Sequence, residues 1–100
     1  MKPTRQRRSR GTGAIYVITN PAWPGYSKVG RSFHPEERLR GYNIGSPKRD
    51  YEMQYLRVFK DVLWAERELK VRLKGFHIWG EWYILHPDHA ATFIKELEDV

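Results

Sequence analysis

The sequence predicts a small α+β domain, with an antiparallel sheet of three to four strands flanked by helices. One hundred residues, 40% apolar and 14% aromatic, suffice for one modest core and not for two. Short β-branched and aromatic segments alternate with segments of helical spacing, and Pro or Gly separates them. The expected order is ββαβαβα, with residues 1–12 a disordered basic arm and residues 13–100 a single domain.

The first half of this domain is predicted to be a hairpin followed by a helix. Residues 14–18 are β-branched and aromatic and stop at Asn20-Pro21, as expected for a strand. Residues 27–30 fit a short return strand after a loop that is rich in Pro and Gly. Pro35 then begins a helix over residues 35–43, with acidic residues in its first turn.

The second half adds two further strand and helix pairs. Residues 51–59 predict a strand with either a bulge or two covered faces, because their alternation is broken. Asp61 is a predicted N-cap for a helix over residues 62–74. Residues 75–80 are predicted to be a loop and residues 81–85 a strand. A last helix begins at Pro87, and its buried face is expected to hold Ala90, Phe93, Ile94 and Leu97.

Composition excludes several classes of protein. The chain has no cysteine, so disulfides, thiolate metal sites and a Cys nucleophile are ruled out. No apolar run is long enough for a membrane span or a signal peptide. We therefore expect a cytoplasmic protein that does not enter a membrane.

The charge distribution favours a nucleic-acid partner. The net charge is +6, but residues 1–10 and 28–74 are basic while residues 75–100 are acidic. A basic surface binds phosphates and releases their counterions. Ordinary solvated surface is an equally good explanation for the arm alone. The arginines expected to contact nucleic acid are Arg5, Arg7, Arg8, Arg10, Arg31 and Arg40.

Glu66 is an acidic residue placed at the edge of an apolar helical stripe. At 100° per residue it lies about 40° from Val62, inside that stripe. A carboxylate there needs a cationic partner, a hydrogen-bond donor or a metal. A salt bridge to an arginine such as Arg38 is the simplest explanation, and a metal is the alternative.

Other candidates are weaker when taken singly. Tyr16 in the first strand fits ordinary sheet packing, while Lys28, Arg31 and Arg38 could together clamp a phosphate. The histidines do not form a zinc pattern. The tryptophans could stack on bases, but most are expected in the core.

The spacing of these residues resembles that of the GIY-YIG nucleases. The matching residues are Ala14-Ile15-Tyr16, Lys28-Val29-Gly30, Arg38, Glu66 and Glu81-Trp82-Tyr83. The similarity is closest to a small phage-type branch with a Lys-Val-Gly second motif, and it covers about residues 13 to 85. It implies a three-stranded antiparallel sheet with flanking helices, in agreement with the order above.

The resemblance implies hydrolysis of phosphodiester bonds with a divalent cation, Mg²⁺ or Mn²⁺. Glu66 would hold the metal, Arg38 would bind the scissile phosphate and Tyr16 would orient or deprotonate the attacking water. Tyr42, one turn after Arg38, is a secondary candidate. Lys28 stands where the family has a tyrosine, and it would contact phosphate or lower the pKa of Tyr16.

The favoured function is therefore a metal-dependent DNA endonuclease with low sequence specificity. Dimerisation or a separate recognition partner would supply target choice, since the chain adds only its arm to the domain. One alternative is a nucleic-acid-binding module of the same fold with weak or no activity, which Lys28 favours. The other is a small basic protein associated with RNA, which only the arm favours.

Overall fold

The computed structural model describes residues 11–98 and shows an α+β fold, as predicted. Within this range a five-stranded antiparallel sheet is combined with three α-helices. In chain order these are β1 (Gly13–Thr19), β2 (Tyr26–Ser32), α1 (Pro35–Ile44), β3 (Glu52–Phe59), α2 (Val62–Arg72), β4 (His77–Trp79), β5 (Trp82–Ile84) and α3 (Pro87–Lys95). A 3₁₀ turn, Lys74–Phe76, joins α2 to β4.

The central strand of the sheet is β1, in the order β3-β1-β2-β5-β4. It pairs with β2 along Ala14–Ile18 and with β3 along its whole length. All of β1 except its last residue is buried. Because side chains alternate across a strand, Ile15 and Val17 join the main core while Tyr16 points to the opposite face.

The main core lies between the sheet and helices α2 and α3. Val62, Ala65 and Leu69 bury one side of α2, and Ala90, Ile94 and Leu97 do the same for the last helical segment. The predicted stripes are thus confirmed at these positions. Helix α1 covers the other face of the sheet and has no buried residue of its own, whereas Tyr16 beneath it is completely buried.

Strand β3 is an edge strand with a bulge. Its register against β1 shifts between Val17, opposite Tyr55, and Ile18, opposite Met53, which leaves Gln54 as the extra residue. The bulge expected from the broken alternation is confirmed. The alternative of a strand covered on both faces is wrong, because every second residue up to Val58 is exposed.

The predicted count of three to four strands is wrong, because residues 77–79 form the additional strand β4. These residues were expected to lie in a loop, and all three are exposed, so they carry no alternating burial pattern. Gly80, at φ +58°, makes the tight connection that allows β4 to pair with β5. The order of elements is therefore ββαβαββα.

Helix α2 also ends earlier than predicted. The Leu73 N–H bonds back to the Leu69 carbonyl, and the chain then tightens into the 3₁₀ turn. Phe76 is the last residue of this turn and is 38% exposed. At the other end of α2 the predicted N-cap is present: the Asp61 side chain accepts a hydrogen bond from the Trp64 N–H at 3.1 Å.

Most of the predicted basic arm lies outside the described residues, including Arg5, Arg7, Arg8 and Arg10. Between residues 11 and 98, each helix is too short or too polar to cross a lipid bilayer.

Candidate functional site

Four polar side chains meet on the face of the sheet that α1 covers. The Tyr16 hydroxyl donates to Glu81 Oε1 at 2.8 Å, and the Tyr42 hydroxyl donates to the same oxygen at 3.1 Å. Arg38 Nη1 donates to the Tyr16 hydroxyl at 3.1 Å. It also lies 3.8 Å from Glu81 Oε2. We call this set, Tyr16, Arg38, Tyr42 and Glu81, the tyrosine–glutamate network.

The positions of these groups follow from local structure. Tyr16 lies in the central strand, so its backbone is held by pairing on both sides. Arg38 and Tyr42 are four residues apart on α1 and therefore share one helical face. Glu81 follows the tight Gly80 turn, where its carbonyl accepts a hydrogen bond from the Val29 N–H at 2.9 Å.

Gly30 provides the space that the Glu81 carboxylate occupies. A Cβ atom at Gly30 would lie 2.5 Å from Glu81 Oε2 and 2.7 Å from Oε1. Such distances are too short for ordinary contact. The glycine of the Lys28-Val29-Gly30 motif thus lets a carboxylate lie directly on the backbone of β2, beside Tyr16, and a Cβ at this position would displace that carboxylate.

The environment of Tyr16 keeps its phenol protonated. Burial raises its pKa far above the usual value, and hydrogen bonds with Tyr42 and Glu81 raise it further. Burial, Tyr42 and Glu81 account for this shift, and a lowering of the Tyr16 pKa by Lys28 stays a prediction. Hydrogen bonding with Tyr42 likewise raises the pKa of Arg38, so its guanidinium is a permanent cation.

Lys28 contacts aromatic rings in place of the expected anion. Its Nζ lies 4.7 Å from the centre of the Tyr42 ring and 4.9 Å from the centre of the Trp82 ring. Such contacts are cation–π interactions. The side chain has no carboxylate partner among the described residues, so its charge remains available at the border of the tyrosine–glutamate network.

Glu66 is paired with Arg31, so the expected salt bridge to an arginine is confirmed, with Arg31 as the partner instead of Arg38. Arg31 Nε donates to Glu66 Oε1 at 2.9 Å, and both side chains are partly exposed. Alternation along β2 explains this outcome. Val29 and Arg31 project towards α2, whereas Lys28 projects towards α1. The three cations expected to form one phosphate clamp are therefore divided between two faces of the sheet.

A cleft of about 260 Å³ brings the two faces together at the edge of β2. Glu66 and Glu81 both line it, with Gly30 and Lys70. It opens there because β5 pairs with β2 only along Tyr26–Lys28. The two carboxylates also act together on Tyr83, whose pKa is raised by burial and then by the negative charges of Glu81 and Glu66.

The carboxylates of Glu66 and Glu81 are the groups of this cleft that are able to bind a cation. Hard carboxylate oxygens suit Mg²⁺, which keeps most of its water ligands and needs few protein groups. Arg31 engages one oxygen of Glu66, and the other oxygen can serve as a ligand. Among residues 11–98 no group of three or more His or acidic side chains forms a larger metal cage.

The structure thus brings together Tyr16, Arg38 and Tyr42, places Lys28 beside them and puts Glu66 in the adjoining cleft. Arg40 is separate, in a groove on the other side of α1 with Met53 and Leu56. Sequence reasoning missed Glu81 as a site residue. The signal was present, because Glu81 begins the Glu-Trp-Tyr segment of the resemblance, but only the fold places its carboxylate over Gly30.

The fold and the site define a small α+β domain in which two carboxylates line a cleft and one of them also belongs to a network of phenol and guanidinium groups. Within this class the chain belongs to the T5orf172 domain family, whose model matches residues 13–98. That domain is phage-associated and is found in some nuclease contexts. No curated protein and no solved structure matches the chain.

Proposed function

We propose that this chain is a divalent-metal-dependent endonuclease that hydrolyses phosphodiester bonds of DNA. The observation that carries the proposal is the cleft that Glu66 and Glu81 both line, because Glu81 also belongs to the tyrosine–glutamate network. Membership of the T5orf172 family and the resemblance to GIY-YIG nucleases support the same class. The proposed substrate groups are phosphates, because Arg31 and Arg38 flank the carboxylates with fixed positive charge.

The proposed metal ligand is Glu66, with Mg²⁺ or Mn²⁺ as the cation. When bound, the cation would neutralise charge on the phosphate and acidify a coordinated water molecule. Arg38 is 42% exposed at its side chain, so it can reach a phosphate while keeping its bond to Tyr16. This contact would stabilise the charge that gathers on the phosphate oxygens during the reaction.

The structure favours a positioning role for Tyr16. Its side chain is fully buried, and its raised pKa disfavours the phenolate that a general base requires. Glu81 accepts two phenolic hydrogen bonds and lines the cleft, so we assign it the proton of the attacking water. Water then forms the new bond to phosphorus as the bond to the leaving oxygen breaks.

The first test is cleavage of supercoiled plasmid, single-stranded DNA and RNA, with Mg²⁺, Mn²⁺ or a chelator. Glu66→Gln should reduce cleavage by more than about a hundredfold, because a catalytic metal contributes several kcal/mol to the transition state. The matched control is Glu68→Gln on the same helix, which loses only a surface pair with Arg72. Full cutting in chelator would contradict the proposal.

A second test concerns the proton acceptor. Glu81→Gln preserves the size of the side chain and its ability to accept the phenolic hydrogen bonds. General-base catalysis contributes about 10² to 10⁴ in rate, so we expect a loss in that range with DNA binding retained. An unchanged rate would show that Glu81 does not accept the proton of the attacking water, and would leave Tyr16 or solvent as the acceptor.

A second candidate function is nucleic-acid binding without useful turnover. Two observations favour it: Lys28 replaces the second tyrosine of the motif, and Arg31 already neutralises Glu66. In that case the folded wild-type protein would bind DNA and cut nothing with either metal. RNA as the preferred ligand at matched salt would favour the third class, the RNA-associated protein.

A further inference from the structure

The structure exposes an aromatic surface next to the tyrosine–glutamate network. Trp79 is 75% exposed and Trp23 is 49% exposed, although most tryptophans were expected in the core. An apolar cleft of about 270 Å³ separates them. We call it the aromatic cleft, and it is lined by Trp23, Tyr26, Tyr51, Ile78, Trp79 and Trp82.

The rings of the aromatic cleft are held by the sheet. Trp79 and Trp82 are paired across the β4–β5 turn. Trp82 meets Trp23 edge to face at 5.8 Å between ring centres. The backbone thus fixes where Trp79 stands without covering its ring. A large exposed aromatic surface of this kind is uncommon unless it binds something.

The aromatic cleft is continuous with the proposed hydrolytic site. Lys28 lies between the Trp82 ring on one side and the Tyr42 ring on the other. Tyr42 belongs to the tyrosine–glutamate network and also packs against Tyr51, at 5.6 Å between ring centres. The Lys28 cation, which has no carboxylate partner among residues 11–98, therefore lies at the junction between the aromatic rings and the groups proposed to bind the scissile phosphate.

We propose that the aromatic cleft binds an unstacked nucleobase of the substrate, with Trp79 and Trp23 as its stacking surfaces and Lys28 against the adjoining phosphate. A nucleobase offers the flat ring that aromatic side chains stack on, and its backbone supplies the anion that Lys28 lacks. The cleft is smaller than the roughly 300 to 1,000 Å³ of larger ligand pockets, which suits one ring system.

This inference rests on the proposed function and narrows it to a class of substrate. A base within a regular duplex is stacked on both sides and cannot enter the aromatic cleft. The preferred substrate is therefore a single strand, or a duplex with an unpaired nucleotide beside the cut. Stacking is tolerant of sequence, since every base has a π face, in keeping with low sequence specificity.

The test measures binding of the full chain to end-labelled oligothymidylate in chelator, so that cleavage cannot intervene. A second probe of equal length has abasic sugars and thus the same phosphates without bases. We expect the wild-type protein to prefer the base-bearing strand. Trp79→Ala should weaken that binding by about 5- to 150-fold, the equivalent of roughly 1 to 3 kcal/mol for one stacked base. Binding to the abasic strand should change by less than about twofold.

Two further variants at position 79 test whether the loss of binding comes from the aromatic ring or only from the loss of apolar surface. Trp79→Phe retains an aromatic ring and should keep most of the affinity, whereas Trp79→Leu retains apolar surface alone and should behave like Trp79→Ala. Val71→Ala on α2 is the matched control, because Val71 is 73% exposed and lies outside the aromatic cleft. This variant should bind both strands as the wild type does.

Equal binding of both strands by the wild type, or an unchanged affinity in Trp79→Ala, would overturn the base-binding role and leave the endonuclease proposal standing. Self-association that Trp79→Ala abolishes would also overturn it, because the exposed rings would then be an interface between copies. If Glu66→Gln loses cleavage but keeps the preference for the base-bearing strand, both proposals are supported. The reason is that Glu66→Gln and Trp79→Ala change separate groups.

Discussion

At the scale of single residues, Gly30 and Glu81 depend on each other. The Glu81 carboxylate occupies the volume that a Cβ at position 30 would need. Both tyrosines of the network donate to that carboxylate. Position 30 is paired with Tyr16 across strands β1 and β2. Adding a single methyl group there should therefore disturb all of these contacts.

We predict that Gly30→Ala displaces Glu81 and reduces both stability and cleavage. Two partly buried hydrogen bonds would weaken, which should cost about 1 to 3 kcal/mol in the free energy of unfolding. Gly41→Ala is the control, because its Cβ would meet nothing within 4 Å. In helix α1 that change should stabilise the protein by about 0.5 to 1 kcal/mol. Urea unfolding measures both variants, and equal stability of the two would contradict the prediction.

The phenol of Tyr16 predicts how stability depends on alkaline pH. Its pKa is raised in the folded protein, whereas the unfolded chain releases this proton near pH 10. Above that value the unfolded state binds fewer protons than the native state, so stability falls as pH rises. It is unaffected by this group below about pH 9. The loss is at most about 1.4 kcal/mol per pH unit for one phenol.

Tyr16→Phe should remove part of this alkaline loss, and Tyr83, whose pKa is also raised, should account for the remainder. The measurement is urea unfolding at several pH values on either side of pH 10. Tyr26→Phe is the control, because that ring lies on the surface. An alkaline slope that is identical in Tyr16→Phe and the wild type would show that Tyr16 does not carry the effect.

At the scale of elements, Arg57 connects the edge strand β3 to the end of helix α3. Its Nη1 donates to the carbonyls of Ile94 at 2.8 Å and Leu97 at 3.0 Å. The Ile94 carbonyl also accepts a backbone hydrogen bond from the Leu97 N–H at 3.2 Å. A cation at the C-terminal end of a helix also complements the helix dipole. Its guanidinium also lies over the Phe59 ring, 4.3 Å from the ring centre.

We predict that Arg57→Ala destabilises the protein by about 1 to 3 kcal/mol, because hydrogen bonds to a charged donor are lost at a helix end. Denaturation in urea would show a lower midpoint with little change in slope. Arg67→Ala on the exposed side of α2 is the control and should be nearly neutral. A midpoint for Arg57→Ala that matches the control would contradict this role.

At the scale of the whole molecule, the charge pattern predicts that different residues determine the affinity for DNA and the rate of cleavage. The arm adds five basic residues within residues 1–10, whereas residues 75–100 are acidic. Phosphate attraction of this kind has little sequence dependence. Cutting, in contrast, is proposed to need Glu66 and the tyrosine–glutamate network. Affinity for duplex DNA and catalytic rate should therefore respond to different substitutions.

Removal of residues 1–10 should weaken duplex binding and flatten its dependence on salt. Each phosphate contact that is lost reduces the slope of log K against log salt by about 0.9, so as many as five contacts are at stake. An arm of equal length with its basic residues replaced by serine separates charge from length. A slope unchanged by both variants would show that the arm does not contact DNA.

The sequence by itself determined the elements with strong local signals. Pro35 and Asp61 mark helix starts, and the apolar spacing of α2 and α3 identifies their buried faces, because both signals come from neighbours in the chain. Strand β4 was not predicted, because an exposed strand of three residues carries no alternating burial pattern. The basic segments follow directly from composition. The candidate residues Tyr16, Arg38 and Glu66 could also be identified from the sequence, since the resemblance depends on their spacing alone.

Only the tertiary structure decided which of these residues meet. Alternation along β2 sends Arg31 to Glu66 and Lys28 to the aromatic rings, and this depends on strand order and register, which are long-range properties. The placement of Glu81 over Gly30 joins positions 51 residues apart and has no local signature. The same holds for the aromatic cleft, which Trp23 and Trp79 line together because the sheet brings the β1–β2 loop beside the β4–β5 turn.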